Sequence, residues 1–395
     1  MDKYHILTFN HISSHGLHRF PAARYVVGKA IEAPDAIILR SHDLTATPIP
    51  SSVKAIGRAG AGTNNIPVAE MSHRGVPVFN APGANANAVK ELVLASLLMA
   101  ARNVVPALGY VAALDPRVPG LDKLIEDGKK KYAGIELPGR SLGIVGLGAI
   151  GSLVADTAIK LGMKVVGFDP EITVDAAWRL PSSVRRAASI EELLRQSDVV
   201  TLHVPLLPAT RNLIDDKRLA AMRHGAVLLN FARDGLVADD AVVAALRAHR
   251  LKCYVCDFPS PVLHGEPGVL ALPHLGASTA EAEDNCAVMV VDQVREYLEH
   301  GTILNAVNFP SVEMPREVPH RVGIANANVP NMVGQISTTM AKAGLNIHNM
   351  VNKSRGEMAY TLVDVDSPVA EAVVSAIAAI DGVLSIRAIP EPPAP

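Results

Sequence analysis

Short apolar runs alternate with polar or helix-periodic stretches along most of this chain. Tyr4–Phe9, Ala36–Leu39, Ala55–Ile56 and Val76–Phe79 read as strands, and Val89–Ala101 reads as a long apolar helix. Ser141–Gly146 is a further strand. A helix follows it with Ile150, Val154, Ala158 and Leu161 on one face and Gly162 as its stop, and Lys164–Phe168 returns as a strand. Strand signals at Asp198–Val204, Ala226–Phe231 and Cys253–Phe258, separated by helices at Ile190–Arg195 and Asp239–Arg250, predict a doubly wound parallel sheet. A helix is expected over 278–300, and Pro310, Pro315 and Pro319 mark a linker at 309–319. Beyond it the pattern restarts: strand His320–Ala325, helix Pro330–Ala343, strands Ile347–Asn352 and Ala359–Val365, helix Val369–Ile380 and strand Val383–Ile389. That βαββαβ order predicts a ferredoxin-like split unit.

The turn between Ser141–Gly146 and its helix reads Gly146-Leu147-Gly148-Ala149-Ile150-Gly151. Three glycines at this spacing permit a tight turn, close approach of a pyrophosphate to the backbone, and close helix–strand packing. The helix start would then present unpaired N–H groups to the phosphates. Asp169 ends the next strand, where a carboxylate accepts hydrogen bonds from ribose hydroxyls and repels a 2′-phosphate, so NAD is expected rather than NADP.

The chain has 395 residues, enough for two or three domains, with 49% hydrophobic and 19% charged residues and a net charge of −2. This charge gives no drive toward nucleic acid or an anionic membrane. No apolar run reaches the length of a membrane span, and the N-terminus lacks a signal-peptide core, so a cytoplasmic location is expected. Cys253 and Cys256 spell CxxC, but in a strand they point to opposite faces, and no second ligand pair completes a metal set. They and Cys286 are expected as buried thiols, and Lys129–Lys131 as a solvated face. Arg40 and Arg58 fall at strand ends, where ligands of open α/β sheets bind, and would suit a doubly anionic substrate.

Four stretches carry a more specific likeness. They are GRAGAGTNNI with RGVPVFNAPGANANAVKELVLA, LHVPLLPATRNLI (202–214), LLNFARDGLV (228–237) and LPHLGASTAEAEDN (272–285). Together they resemble the D-2-hydroxyacid dehydrogenase family, and within it the branch acting on 3-phosphoglycerate. The resemblance implies a flavodoxin-like substrate domain (1–98 and 276–308), a Rossmann-type NAD domain (99–275) and a C-terminal ACT domain (320–395). It implies NAD-dependent oxidation of 3-phosphoglycerate to 3-phosphohydroxypyruvate, at the entry to serine biosynthesis, by a homodimer or homotetramer. Oxidation of another D-2-hydroxy acid, or a non-catalytic sensor of NAD or amino acids, are the alternatives.

By the same resemblance, His274 is the base and Arg233 grips the carboxylate and carbonyl oxygen. Arg40, Ser41, Arg58, Gly60, Asn85 and Asn87 are substrate contacts. The cofactor contacts are Gly146, Gly148, Ala149, Ile150, Gly151, Asp169, His203, Pro205, Thr210, Ala232, Asp257, His274 and Gly276. Two departures stand out. Where the family carries an acid that partners the histidine, this chain has Val262 in CDFPSPVLHGEPGV; Glu266 is the shifted candidate and Lys252 a replacement cation. Ala149 replaces a basic residue found beside the pyrophosphate in many members. In the C-terminal domain Asn326, Asn328, Pro330 and Asn346 are the expected site for an L-serine effector, with Asn331 where a glycine is usual and Asn326 where a histidine is.

Overall fold

A computed structural model describes residues 3–391, which form two compact units: residues 3–85 with 280–391, and residues 86–279. The expected domain ends at residues 1–2 and 392–395 lie outside the described residues.

The first unit opens with a parallel sheet of β1 (Tyr4–Thr8), β2 (Tyr25–Gly28), β3 (Ala36–Leu39), β4 (Ala55–Arg58) and β5 (Val78–Phe79), in the order β2-β1-β3-β4-β5. This is the flavodoxin-like order. The edge strand β2 was not expected from the hydrophobic pattern; two of its four residues are exposed. The core strand Ala36–Leu39 is buried at every position, as both faces of a parallel sheet are covered.

The second unit holds β6 (Ser141–Val145), β7 (Lys164–Phe168), β8 (Arg185–Arg186), β9 (Val199–Leu202), β10 (Ala226–Asn230), β11 (Leu251–Cys256) and β12 (Val269–Ala271). All pair in parallel in the order β12-β11-β10-β9-β6-β7-β8, a Rossmann-type arrangement whose direction reverses between β6 and β9. The helix Ala86–Arg102 lies in this unit, so the boundary expected at 98 moves to 85. The cause is its apolar stripe: Val89, Val93 and Leu97 share a core with Leu142, Ile144, Leu229 and Val255. Cys253, Cys256 and Cys286 are buried free thiols; burial pushes Cys253 up to about 12 and Cys256 to about 11. No single described helix is long and apolar enough to cross a membrane.

A small antiparallel sheet closes the first unit: β13 (His320–Ala327), β14 (Ile347–Arg355), β15 (Met358–Val365) and β16 (Val383–Ile389), in the order β14-β15-β13-β16. Helices Met332–Lys342 and Glu371–Ala378 supply the core on one side, through Ile336, Met340 and Ile377 against Val322, Ile324 and Val363. Its other side is also covered. Ala325, Tyr360, Leu362 and Ile389 join a core with Val290, Val294 and Tyr297 of the long helix Ala280–His300. The segment expected as a linker is part of this packing. Phe309, Val312 and Met314 are buried, and Val312 bridges Ile303. The proline spacing concealed these apolar anchors.

On that covered face Arg321 and Asp364 form a bidentate ion pair, with Nε–Oδ1 at 2.6 Å and Nη2–Oδ2 at 2.8 Å, both side chains at most 1% exposed. The remaining guanidinium donors reach the carbonyls of His300 and Pro315. Breaking such a pair leaves one uncompensated buried charge. Asp364→Ala should therefore cost about 3–5 kcal/mol in urea unfolding. The double change Arg321→Met with Asp364→Leu should recover most of that loss.

Candidate active site

The carboxyl edge of the seven-stranded sheet carries the glycine turn. Gly146 has φ +93°, and a Cβ there would lie 2.6 Å from the His203 carbonyl oxygen. A Cβ on Gly151 would lie 2.0 Å from the Gly146 oxygen, so only glycine lets the helix Ala149–Lys160 start this close to β6. Nothing lies within 4 Å of the space that a Gly148 Cβ would fill, and Gly148 and Ala149 are exposed. No side chain caps this helix. An open cradle at an uncapped helix start fits a pyrophosphate. The Ile150 side chain is half-buried against the core of this unit.

Asp169 follows β7 and braces the turn. Its Oδ2 accepts the Leu147 N–H at 2.8 Å and its Oδ1 accepts the Glu171 N–H at 3.0 Å. Each carboxylate oxygen keeps a lone pair for a ribose hydroxyl. The chain thus fits a dinucleotide with free ribose hydroxyls.

Two buried polar side chains build the neighbouring loops. Asn230, 2% exposed at the end of β10, accepts the Ala232 N–H at 3.2 Å and donates to the Arg233 carbonyl at 2.9 Å. Ala232 is buried beneath this loop, while Arg233 is exposed and donates through Nη1 to the Ala232 oxygen. Asp257, 1% exposed just beyond β11, accepts the N–H groups of Leu275 and Gly276, each at 2.7 Å. Its own N–H donates to the Asn230 carbonyl at 3.1 Å, and its carbonyl accepts the His274 N–H at 3.1 Å. A continuous hydrogen-bonded run, Asn230 to Asp257 to His274, therefore joins the arginine loop to the histidine loop. His274 is exposed, sits at φ +56°, and meets Phe258 edge-on at 5.1 Å. Asn230 was absent from the expected site, although it stands inside the NFARDG stretch; its side-chain role shows only in the folded loop.

The two candidates for the histidine's partner lie elsewhere. Glu266 forms a bidentate pair with Arg247 at 2.9 and 2.8 Å, which holds its carboxyl below the usual range. Lys252, the second residue of β11, donates to the Ala100 carbonyl at 3.0 Å near the end of the helix Ala86–Arg102. Both line a recess with Gly225 and Leu251, at the amino ends of β10 and β11 and so at the edge opposite Asp257. Among the described residues no carboxylate engages the His274 imidazole.

His203 follows β9, with Nε2 3.0 Å from the Thr201 hydroxyl and Nδ1 buried without a partner. Desolvation pushes its pKa down to about 3. Thr210 shapes the next loop internally, donating to the Pro205 carbonyl and accepting the Leu207 N–H, both at 2.7 Å.

In the first unit Arg40 and Arg58 stand at the carboxyl ends of adjacent strands, with Leu39 in register with Arg58. Arg58 Nε donates to the Arg40 carbonyl at 3.1 Å, and Arg40 pairs with Glu283 at 2.5 Å. Asn10, at φ +64°, accepts the N–H groups of Ser41 and His42 at 3.0 and 2.7 Å and so shapes the turn after Arg40. Asn10 and Glu283 also escaped the sequence reading. Gly60 receives the Arg58 guanidinium where a Cβ would collide with it. Asn85 is the last residue of this unit; Asn87, in the second, donates to Glu91 at 2.9 Å.

Within one chain the residues expected to hold an effector do not come together. Asn326 is 1% exposed, and its amide is used by the Ala327 carbonyl at 2.7 Å and the Thr361 hydroxyl at 3.4 Å. Asn328 donates to the Gly356 carbonyl at 3.0 Å, and exposed Pro330 follows it. Asn346 lies where β14 begins and β15 ends, its N–H on Asp366 at 3.3 Å. Because β13 and β14 run the same way, Asn346 and Asn328 stand at opposite ends of strands eight and nine residues long, about 25 Å apart.

Comparison with known proteins agrees with the fold of the second unit. The family model described as "D-isomer specific 2-hydroxyacid dehydrogenase, NAD binding domain" matches residues 94–276. A D-3-phosphoglycerate dehydrogenase of Haemophilus influenzae is 34% identical over 379 residues, covering 91% of this chain and 87% of that protein. One from Methanocaldococcus jannaschii is 34% identical over 71% of this chain, but the match spans only 53% of that longer protein. The crystal structure of an NAD+-bound 3-phosphoglycerate dehydrogenase from Entamoeba histolytica shares the fold, with a TM-score of 0.60, 24% identity, and coverage of 77% of this chain and 98% of that one.

Two outcomes follow from the loop geometry. Asp257→Ala strips two backbone N–H groups of their acceptor and should lower turnover about 100-fold by displacing His274, with steady-state kcat as the readout. His203 stays neutral in the fold but takes up a proton near ~6.5 once unfolded. Its contribution to stability is therefore complete above that pH and is lost as pH falls from ~6.5 toward 3. Melting temperatures across pH 4–7 should fall less steeply in His203→Gln than in the parent.

Proposed function

This chain belongs to the D-2-hydroxyacid dehydrogenase family, and from that premise we propose that it oxidises 3-phospho-D-glycerate to 3-phosphohydroxypyruvate with NAD. The observation that carries the proposal is the hydrogen-bonded run from Asn230 through Asp257 to His274, on the sheet edge that also bears the glycine cradle. The chemistry that bound NAD+ would supply is acceptance of the hydride from the substrate carbon bearing the hydroxyl. The chain would seat its pyrophosphate at Gly146–Gly151 and its ribose hydroxyls at Asp169.

His274, in this proposal, takes the proton of the substrate hydroxyl, so hydroxyl carbon becomes carbonyl as the hydride leaves. Arg233 holds the substrate carboxylate and faces the oxygen that becomes the carbonyl; its permanent charge serves either direction of reaction. Asn230 and Asp257 position these two side chains through their loops. Arg40 and Arg58 would take the phosphate, each guanidinium forking onto its oxygens. We read the C-terminal βαββαβ unit as an ACT-type module. The chain is proposed to form a homodimer through the helix Val104–Ala112, which has no buried residue and exposes Leu108 and Val111.

The test is NADH formation from 3-phosphoglycerate at alkaline pH. His274→Ala or Arg233→Ala should lower kcat/KM about 1,000-fold or more. Arg58→Ala should raise KM for 3-phosphoglycerate far more than for glycerate. Turnover of glycerate or lactate in preference to 3-phosphoglycerate would defeat the substrate assignment while leaving the dehydrogenase reading intact.

A further inference from the structure

Two arginines of the C-terminal sheet, Arg321 and Arg387, donate to carbonyls of the long helix Ala280–His300, and they are treated differently. Arg321 has Asp364 as a full counter-charge. Arg387, opposite Gly323 in the next strand pair, has none: its Nη2 donates to the Tyr297 carbonyl at 2.8 Å and its guanidinium lies 4.2 Å above the Tyr297 ring. Among the described residues no carboxylate lies within ion-pairing distance of it. A carbonyl and an aromatic face compensate only part of the cost of taking a guanidinium out of bulk water.

Arg387 also lines a cavity of about 280 Å³ within the first unit, where β16 meets the amino ends of β4 and β5. The other polar residues lining it are Lys54, Arg74, Ser51, Ser52, Tyr297 and Ser385, and no acidic residue lines it. Lys54 pairs at 2.6 Å with Asp35, outside the lining. Arg74 spends its guanidinium on the carbonyls of Ile49 and Pro50, with Glu70 at 3.5 Å. Ser385 donates to the Gly75 carbonyl at 3.0 Å, tying the two sheets together across the cavity wall. Three cations from three separate segments thus converge on one polar chamber that lacks an anion of its own.

We propose that this cavity is an anion-binding site for a phosphate- or carboxylate-bearing small molecule, separate from the arginines at the opposite, carboxyl edge of the same parallel sheet. The anion completes the charge of Arg387 and joins the C-terminal sheet to the N-terminal one. Its position gives a ligand a hold on how firmly the two sheets are docked, independent of the chemistry at His274.

The experiment uses the full chain carrying Arg58→Ala, which silences the phosphate contact proposed for substrate. Inorganic phosphate is titrated at constant ionic strength, set with sodium chloride, and melting temperature is followed. A saturable rise of about 2–4 °C is expected. Lys54→Gln, which removes the charge of a side chain 40% exposed and keeps a hydrogen-bonding group for Asp35, should weaken the apparent phosphate affinity about fivefold or more. Arg387→Met should abolish the response; if that variant fails to fold, Lys54→Gln decides alone. Citrate in place of phosphate separates the two sources, since the larger rise names the preferred anion. No saturable rise with either anion, or an equal rise in the Lys54→Gln variant, overturns the site.

Discussion

Asp257 is the group on which the site's geometry turns. Its carboxylate is almost wholly buried and is satisfied by two backbone N–H groups from the loop it supports. A buried carboxylate with such partners is a fixed point, because any displacement leaves both it and the amides unpaired. Its own backbone joins Asn230 on one side and His274 on the other. The side chains proposed to react, His274 and Arg233, are exposed and contribute little to their own placement. Their positions are inherited from two polar residues that do not face the solvent.

This division of labour lets the proposed base, His274, be placed without the acidic partner that the family resemblance leads one to expect. The expected acid at the site is replaced by Val262, and Glu266 is committed to Arg247 at the other edge of the sheet. Orientation of the imidazole therefore rests on the backbone around it: the left-handed conformation at His274, the bond to the Asp257 carbonyl and the edge of Phe258. A side-chain acid would add electrostatic help to the base; backbone anchoring supplies position without it.

The first unit shows a second constraint, the covering of its C-terminal sheet on both faces. Helices Met332–Lys342 and Glu371–Ala378 cover one, and the long helix Ala280–His300 with the 309–314 segment covers the other. That long helix also carries Glu283, the partner of Arg40. One helix thus touches both Arg40, through Glu283, and the C-terminal sheet, where the buried Arg321 and the half-buried Arg387 donate to its carbonyls and add to the packing.

Local patterns in the chain were enough to determine the strand–helix alternation, the glycine turn with Asp169 at the following strand end, and the βαββαβ order near the C-terminus. These depend on periods of two and 3.6 residues and on glycine's freedom, which act over a few neighbours. Tertiary structure decided the rest, because partner choice depends on which distant segments meet. Glu266 found Arg247 rather than His274, Asn326 turned inward to Thr361, and a proline-spaced stretch became core through Phe309, Val312 and Met314. The helix Ala86–Arg102 likewise joined the unit whose apolar surface matched its stripe. A residue's type states what it can bond to; only the folded chain sets which of those partners is within about 3 Å.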